Sequence, residues 1–189
     1  MTKVRIGTSV VAVLVAVGAS WAASRSNDDS SGDTAHLDTR VTFEQPSIET
    51  NAAVEGDPLP DATVQNLAGD DIAVSSLVGQ PMVINIWGST CGPCKKELPG
   101  FAAAHLQYGD SVRFVGIDYL PASDREEAFA RDKGVEYELL YDGDGEFINA
   151  AGVAAFPVTL FVDANGRILR QTGQLDEAEL TAIIESDLL

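Results

Sequence analysis

Only two cysteines occur in this chain, and they stand three apart in Cys91-Gly92-Pro93-Cys94. An apolar run, Pro81-Met82-Val83-Ile84-Asn85-Ile86, precedes them, and helix-favouring residues follow. That order predicts a buried strand, a tight turn and a helix opening at the cysteines. A thiol at a helix start meets unsatisfied N–H groups and the positive end of the helix dipole, and both favour its thiolate. The thiolate is the attacking species in disulfide exchange. The pattern therefore predicts an enzyme that exchanges disulfides through a reversible Cys91–Cys94 bridge, with no bound cofactor. In this reading Cys91 is the nucleophile and Cys94, one turn further in, resolves the mixed disulfide. Gly92 and Pro93 shape the turn and help set the potential.

Other uses of the pair fit less well. Zinc needs four ligands, and the only histidines are His36 and His105. On an unbroken helix His105 shares the face of Cys94 but lies about 16 Å further along the axis. No metal is expected, and His105 reads as a helix-surface residue. A purely structural bridge across so short a loop would restrain little of the unfolded chain. Asp142-Gly143-Asp144-Gly145 has the outline of a calcium loop, but Phe147 stands where that loop needs glycine. It reads as a turn.

The elements that must hold the cysteines follow from the pattern of the rest. Thr63–Leu67 and Asp71–Val74 predict a hairpin across Ala68-Gly69-Asp70. Met82–Trp87 is the first central strand, and the cysteine helix runs to about Gln107 with Pro99 kinking it. Val112–Ile117 is a second buried strand. Ser123-Asp124-Arg125-Glu126 has the form of a capping box and opens a helix to about Asp132. A strand at Tyr137–Tyr141, a helix at Glu146–Ala151 and a strand at Val158–Val162 come next. Asn165-Gly166 turns into a return strand at Ile168–Gln171. A last helix covers Asp176 to about Asp187. Strands alternating with helices and closing on a hairpin predict an α/β fold, a mixed sheet with helices on both faces. Pro157 reads as a strand-opening proline, tolerated where its missing N–H is not needed.

The 189 residues suit one domain with extras, and 29 acidic residues against 12 basic ones leave a net charge of −17. That balance argues against nucleic acid as a partner. Lys3 and Arg5 precede an uncharged run from Ile6 to Ser24, and acids follow it. Basic before and acidic after predicts export of the rest. Residues 1–24 are then a signal-anchor or a cleaved signal peptide. Residues 25–52, rich in Ser, Asp and Thr, read as a flexible linker with a weak strand near Val41–Phe43. Residues 53–189 form the globular domain.

From about Gly56 onward the chain resembles thioredoxin-like domains of the TlpA/ResA type, within the redoxin or AhpC/TSA-like superfamily. These are exported thiol–disulfide oxidoreductases, usually membrane-tethered. The resemblance rests on Ile84-Asn85-Ile86-Trp87-Gly88, on Cys91 to Pro99, and on Phe156-Pro157-Val158-Thr159-Leu160-Phe161-Val162-Asp163. It implies a thioredoxin-like fold with an N-terminal hairpin and a central strand–helix insertion at Tyr137–Ala151. It also implies that Pro157 is a cis-proline facing the cysteines, with the Phe156 backbone pairing with substrate. Trp87 packs beside the site.

Departures from the pattern are specific. Thr90 replaces the aromatic residue common before the first cysteine. Asn85 stands at the place of thioredoxin's buried acid, so that proton acceptor is absent. In the second-strand region Asp118 is a candidate acid–base group or, equally, a turn-forming aspartate. Lys95 and Lys96 read as solvated or as supporting the thiolate. Gly88, three residues before Cys91, argues against a peroxidase, since such enzymes usually have threonine or serine there.

The expected activity is disulfide exchange with exported protein thiols on the outer face of the cytoplasmic membrane, or as a secreted protein if the leader is cleaved. The resemblance implies a reductase, possibly in cytochrome c maturation, recycled by a membrane electron donor. An oxidase passing electrons to an acceptor through the same residues, and a non-catalytic metallochaperone, are the alternatives.

Overall fold

The computed structural model describes residues 48–189; the expected leader, the strand near Val41–Phe43 and the linker as far as residue 47 lie outside them. The last linker residues are ordered, with a 3-10 turn at Ile48–Thr50 and with Asn51 and Ala52 bonded to the domain. Seven strands form one sheet: β1 (Thr63–Gln65), β2 (Asp71–Ala73), β3 (Met82–Trp87), β4 (Arg113–Asp118), β5 (Glu138–Tyr141), β6 (Val158–Val162) and β7 (Ile168–Thr172). Their order is β2-β1-β5-β4-β3-β6-β7. β3, β4 and β5 run parallel, while β6 and β7, like β1 and β2, run antiparallel to their neighbours. The helices are α1 (Gly92–Tyr108), α2 (Asp124–Asp132), α3 (Glu146–Ala150) and α4 (Glu177–Ile183), the last continued by a wider turn over Ile184–Leu188.

β3 is buried at every position, as an apolar strand covered on both faces must be. Alternate side chains feed two cores. Val83 and Trp87 join Leu98 and Phe101 of α1, Ala130 of α2 and Leu180 of α4 on one face. Ile84 and Ile86 meet Phe147 of α3, Val158 and Leu160 on the other. The result is the predicted α/β architecture, a mixed sheet between helices.

Two caps deserve comparison. Asp176 and Glu179 exchange both hydrogen bonds of a capping box at the start of α4. At α2 only half of the predicted box forms. Ser123 accepts from the N–H of Glu126, but the Glu126 carboxylate turns inward instead of back to its cap. The hairpin turn expected at Asn165-Gly166 is present, with Gly166 at φ +82°, a conformation glycine adopts without penalty.

The residues leading into the sheet are tied down across the chain. Asn51 accepts from the N–H groups of Ala154 and Ala155 at 2.6 and 2.7 Å and donates to the Ala155 carbonyl at 3.1 Å. Ala52 adds a backbone bond to Gly152. That clamp fixes the loop immediately before Phe156 and Pro157.

Candidate active site

The parallel β3 and β4 end together, with Trp87 opposite Asp118, and antiparallel β6 begins beside them, with Val158 opposite Ile86. Three chain segments therefore meet at one sheet end: the loop Gly88–Cys91, the residues after Asp118, and Phe156-Pro157. Every residue expected at the site belongs to or borders one of these segments.

Cys91 caps α1, and its Sγ accepts a hydrogen bond from the N–H of Cys94 at 3.2 Å. The two are joined as a disulfide with Cα atoms 5.3 Å apart. Cys91 is half-buried and Cys94 is fully buried. An attacker from solvent therefore reaches the first sulfur and not the second. Gly92 and Pro93 are exposed in the first turn of the helix, where proline's missing N–H leaves no intrahelical bond unmade.

Phe156-Pro157 is the one cis peptide bond among the described residues. Pro157 is buried, while Phe156 is half-buried with its ring 4.4 Å from that of Tyr119. Tyr119 in turn shares a 2.6 Å hydrogen bond with Thr90. Thr90 thus anchors the cysteine loop to the segment after β4. Gly88 makes this possible, since a Cβ there would lie 2.5 Å from the Tyr119 ring. Trp87 is fully buried and stacks on Phe129 of α2 at 6.0 Å, a packing role.

Asp118 is wholly buried and accepts from the N–H of Leu120 at 2.8 Å. The bond is that of a strand-end turn, yet its burial far exceeds what a turn aspartate needs. Burial first, then the nearby Glu126, hold its carboxyl well above the ordinary carboxylate range. His105 is not the plain surface residue expected. Its ring packs edge-on against Phe114 and Tyr137, at 5.4 and 5.5 Å.

Glu97 was not among the expected site residues, and it alters one expectation. It is 3 % exposed and stands three residues after Cys94 on the inward face of α1. That spacing sets two side chains about 5–6 Å apart. Asn85 of β3 donates to its Oε1 at 2.8 Å, and the N–H of Leu175 donates to its Oε2 at 3.3 Å. Burial raises its pKa from 4.5 to about 7 against the pull of those two bonds. The asparagine on β3 therefore does not leave the core without an acid. It receives one from the helix. The sequence signal was available: on α1, Cys94, Leu98 and Phe101 mark a buried face on which position 97 also falls.

The AhpC/TSA family profile matches residues 55–171, more than half of the chain. The chain belongs to the AhpC/TSA family. Within it, the chain is 26 % identical to the thiol–disulfide oxidoreductase ResA of Geobacillus thermodenitrificans over 140 residues, covering 73 % of this chain and 80 % of that one. It is 29 % identical to the thioredoxin-like protein YneN of Bacillus subtilis over 118 residues, 60 % of this chain and 68 % of YneN. Among solved structures it superposes on MTB dsbF with a TM-score of 0.61 at 27 % identity, covering 68 % of this chain and 96 % of that one. The family member described here has the thioredoxin-like fold its motifs predicted.

Proposed function

We propose that this AhpC/TSA family member is a thiol–disulfide oxidoreductase that reduces disulfides in exported proteins. The observation that carries the reading is the asymmetry of the pair: a reachable sulfur capping a helix and a buried sulfur one turn behind it. Two further features support it. The name of the ResA relative describes disulfide chemistry, and Phe156-Pro157 lies at the sheet end that carries the cysteine loop, where an extended partner segment can lie against backbone.

In the reduced enzyme the Cys91 thiolate attacks one sulfur of a partner disulfide. A mixed disulfide forms and the partner's other sulfur leaves as a thiolate. Cys94 then loses its proton and attacks the Cys91 sulfur, re-forming the enzyme disulfide and releasing the second partner thiol. The partner gains two electrons and two protons, and a dithiol donor must restore the enzyme. Glu97, about one helical turn below Cys94 and titrating near neutrality, is placed to take the Cys94 proton. A membrane tether, a membrane donor and a role in cytochrome c maturation belong to this proposal through the family resemblance.

A Cys94→Ser variant tests the order of events. It should accumulate mixed disulfides through Cys91, identifiable by mass spectrometry, while Cys91→Ser should accumulate none. Equal trapping by both variants, or by neither, refutes the assignment. Direction is read from the reduction potential in glutathione buffers: a value well above about −180 mV assigns the enzyme to the oxidising side instead.

A further inference from the structure

The basic side chains of this acidic protein are unevenly employed. Among the described residues, Arg113, Arg131 and Arg170 each pair with a carboxylate, and Arg167 donates to the Gly56 carbonyl. The remaining cations, Lys95, Lys96, Arg125 and Lys133, form no ion pair. All four belong to the start of α1 or to α2 and its C-cap, the two helices beside the cysteine loop. Lys95 and Arg125 line one surface cleft of about 370 Å³, together with Ser89, Ala128, Phe129 and Asp132. The cleft adjoins Cys91 from both sides in sequence. Ser89 stands two residues before the cysteine, and the N–H of Lys95 donates to the Cys91 carbonyl at 3.2 Å. Ser89 also donates to Glu126 of α2 at 2.9 Å, which ties the cysteine loop to the opposite wall. Phe129 supplies the apolar part. Its ring stacks on Trp87 at 6.0 Å, and the ammonium groups of Lys95 and Lys133 stand 5.9 and 5.7 Å from its centre. Each contact suits one cation, but two ammonium groups gathered at one ring repel each other. Asp132 does not answer them, since it forms no ion pair.

We propose that this cleft is the subsite for the residues flanking a partner's cysteine, and that it selects acidic segments. The inference rests on the thiol-exchange reading and names the class of partner for it. A carboxylate entering the cleft meets Lys95 and Arg125 and relieves the repulsion of the two ammonium groups at Phe129. An apolar neighbour on the same segment covers the exposed part of that ring. At about 3.3 Å per residue, an extended segment joined to the Cys91 sulfur spans from Cys91 to the cleft in two or three positions. The rest of the molecule sharpens the choice. With a net charge of −17 the protein repels an acidic partner at large, so such a partner is steered to the end where positive charge is unpaired.

The test uses the reduced full chain and three short synthetic peptides. Each has one cysteine, carried as a mixed disulfide with nitrothiobenzoate and flanked by glutamates, glutamines or lysines. The Cys91 thiolate attacks the peptide sulfur, a new S–S bond forms, and nitrothiobenzoate leaves with the electron pair as a coloured thiolate. Each rate is divided by that peptide's rate with dithiothreitol, an uncharged dithiol, to remove its intrinsic reactivity. Comparing peptides within one enzyme cancels any change in Cys91 itself. At about 0.01 M salt, where charges act over about 30 Å, the glutamate peptide should react about tenfold faster than the glutamine peptide, and the lysine peptide slowest. At about 1 M salt, where that reach is about 3 Å, the three should converge. In Arg125→Gln/Lys133→Gln the glutamate-to-glutamine ratio should fall at least about threefold. In Arg125→Glu/Lys133→Glu the lysine peptide should become the fastest. Equal rates in the unaltered enzyme, a faster glutamine or lysine peptide, a preference that persists in high salt, or a glutamate preference that survives the charge reversal overturns the proposal. Failure of the thiol-exchange reading shows differently: none of the peptides then releases nitrothiobenzoate faster than it does with dithiothreitol.

Discussion

Glu97→Gln should change how the oxidised protein's stability depends on pH. Folding raises the pKa of Glu97 from 4.5 to about 7, chiefly by burial. Between those values the folded protein keeps a proton that the unfolded chain has released. Stability therefore falls as pH rises through this window, the direction required when the native state binds more protons. At about 1.4 kcal/mol per pH unit, the loss between pH 4 and pH 8 is about 3 kcal/mol. Glutamine does not titrate, so the variant should lack this component. Its amide keeps an acceptor for Asn85 but presents a donor to the N–H of Leu175, which costs about 1–3 kcal/mol at every pH. The variant should thus be less stable than wild type at pH 4 and should equal or exceed it at pH 8. Urea denaturation of both proteins, kept oxidised, gives the difference directly, and comparing variant with wild type cancels every other titrating group. A difference between the two proteins that stays constant from pH 4 to pH 8 would refute a carboxyl raised by burial, and with it the case for Glu97 as the proton acceptor of Cys94.

Two further substitutions probe the frame of the site. Gly88→Ala places a Cβ 2.5 Å from the Tyr119 ring, so Tyr119 must leave its contacts with Phe156 and Thr90; overpacking of this kind costs about 1–3 kcal/mol. Thermal denaturation should show that loss, and disulfide exchange should fall with it; an unchanged melting temperature contradicts the packing described. Asp142→Ala removes a buried carboxylate that accepts from Phe147 and Ile148 at 3.1 and 2.8 Å at the start of α3. Two buried N–H groups are orphaned, and denaturant titration should report a loss of at least about 2 kcal/mol.

What could be read from the sequence was whatever depends on neighbours along the chain. The apolar run at Met82–Trp87, the alternation of strands and helices, and the cysteines at a helix start are local, and the fold reproduces them. Asp142-Gly143-Asp144-Gly145 misses the spacing of a calcium loop and forms a turn, which closes β5 onto α3. Harder to read were side chains whose roles depend on what they meet across the fold. Glu97 follows Lys95 and Lys96, and its local sequence gives no sign of a buried partner. Only the packing of α1 on β3 gives it Asn85 and Leu175 as partners. Glu126 satisfied the rule for a capping box, yet a local rule cannot see that Ser89, 37 residues earlier, competes for its carboxylate. His105 likewise meets the rings of Phe114 on β4 and Tyr137 just before β5, which periodicity along α1 does not reveal.

The Asn51 clamp has a practical corollary for anyone shortening this protein. Beginning a truncated version at the first strand would already remove the backbone bonds by which Gly56, Asp57 and Leu59 pair with Ile168 and Gly166 at the edge of β7. It would also unpick the three bonds that steady Ala154 and Ala155, immediately before Phe156. A trimmed protein of that kind would keep both sulfurs yet lose the tether on the loop that leads into the cis-proline.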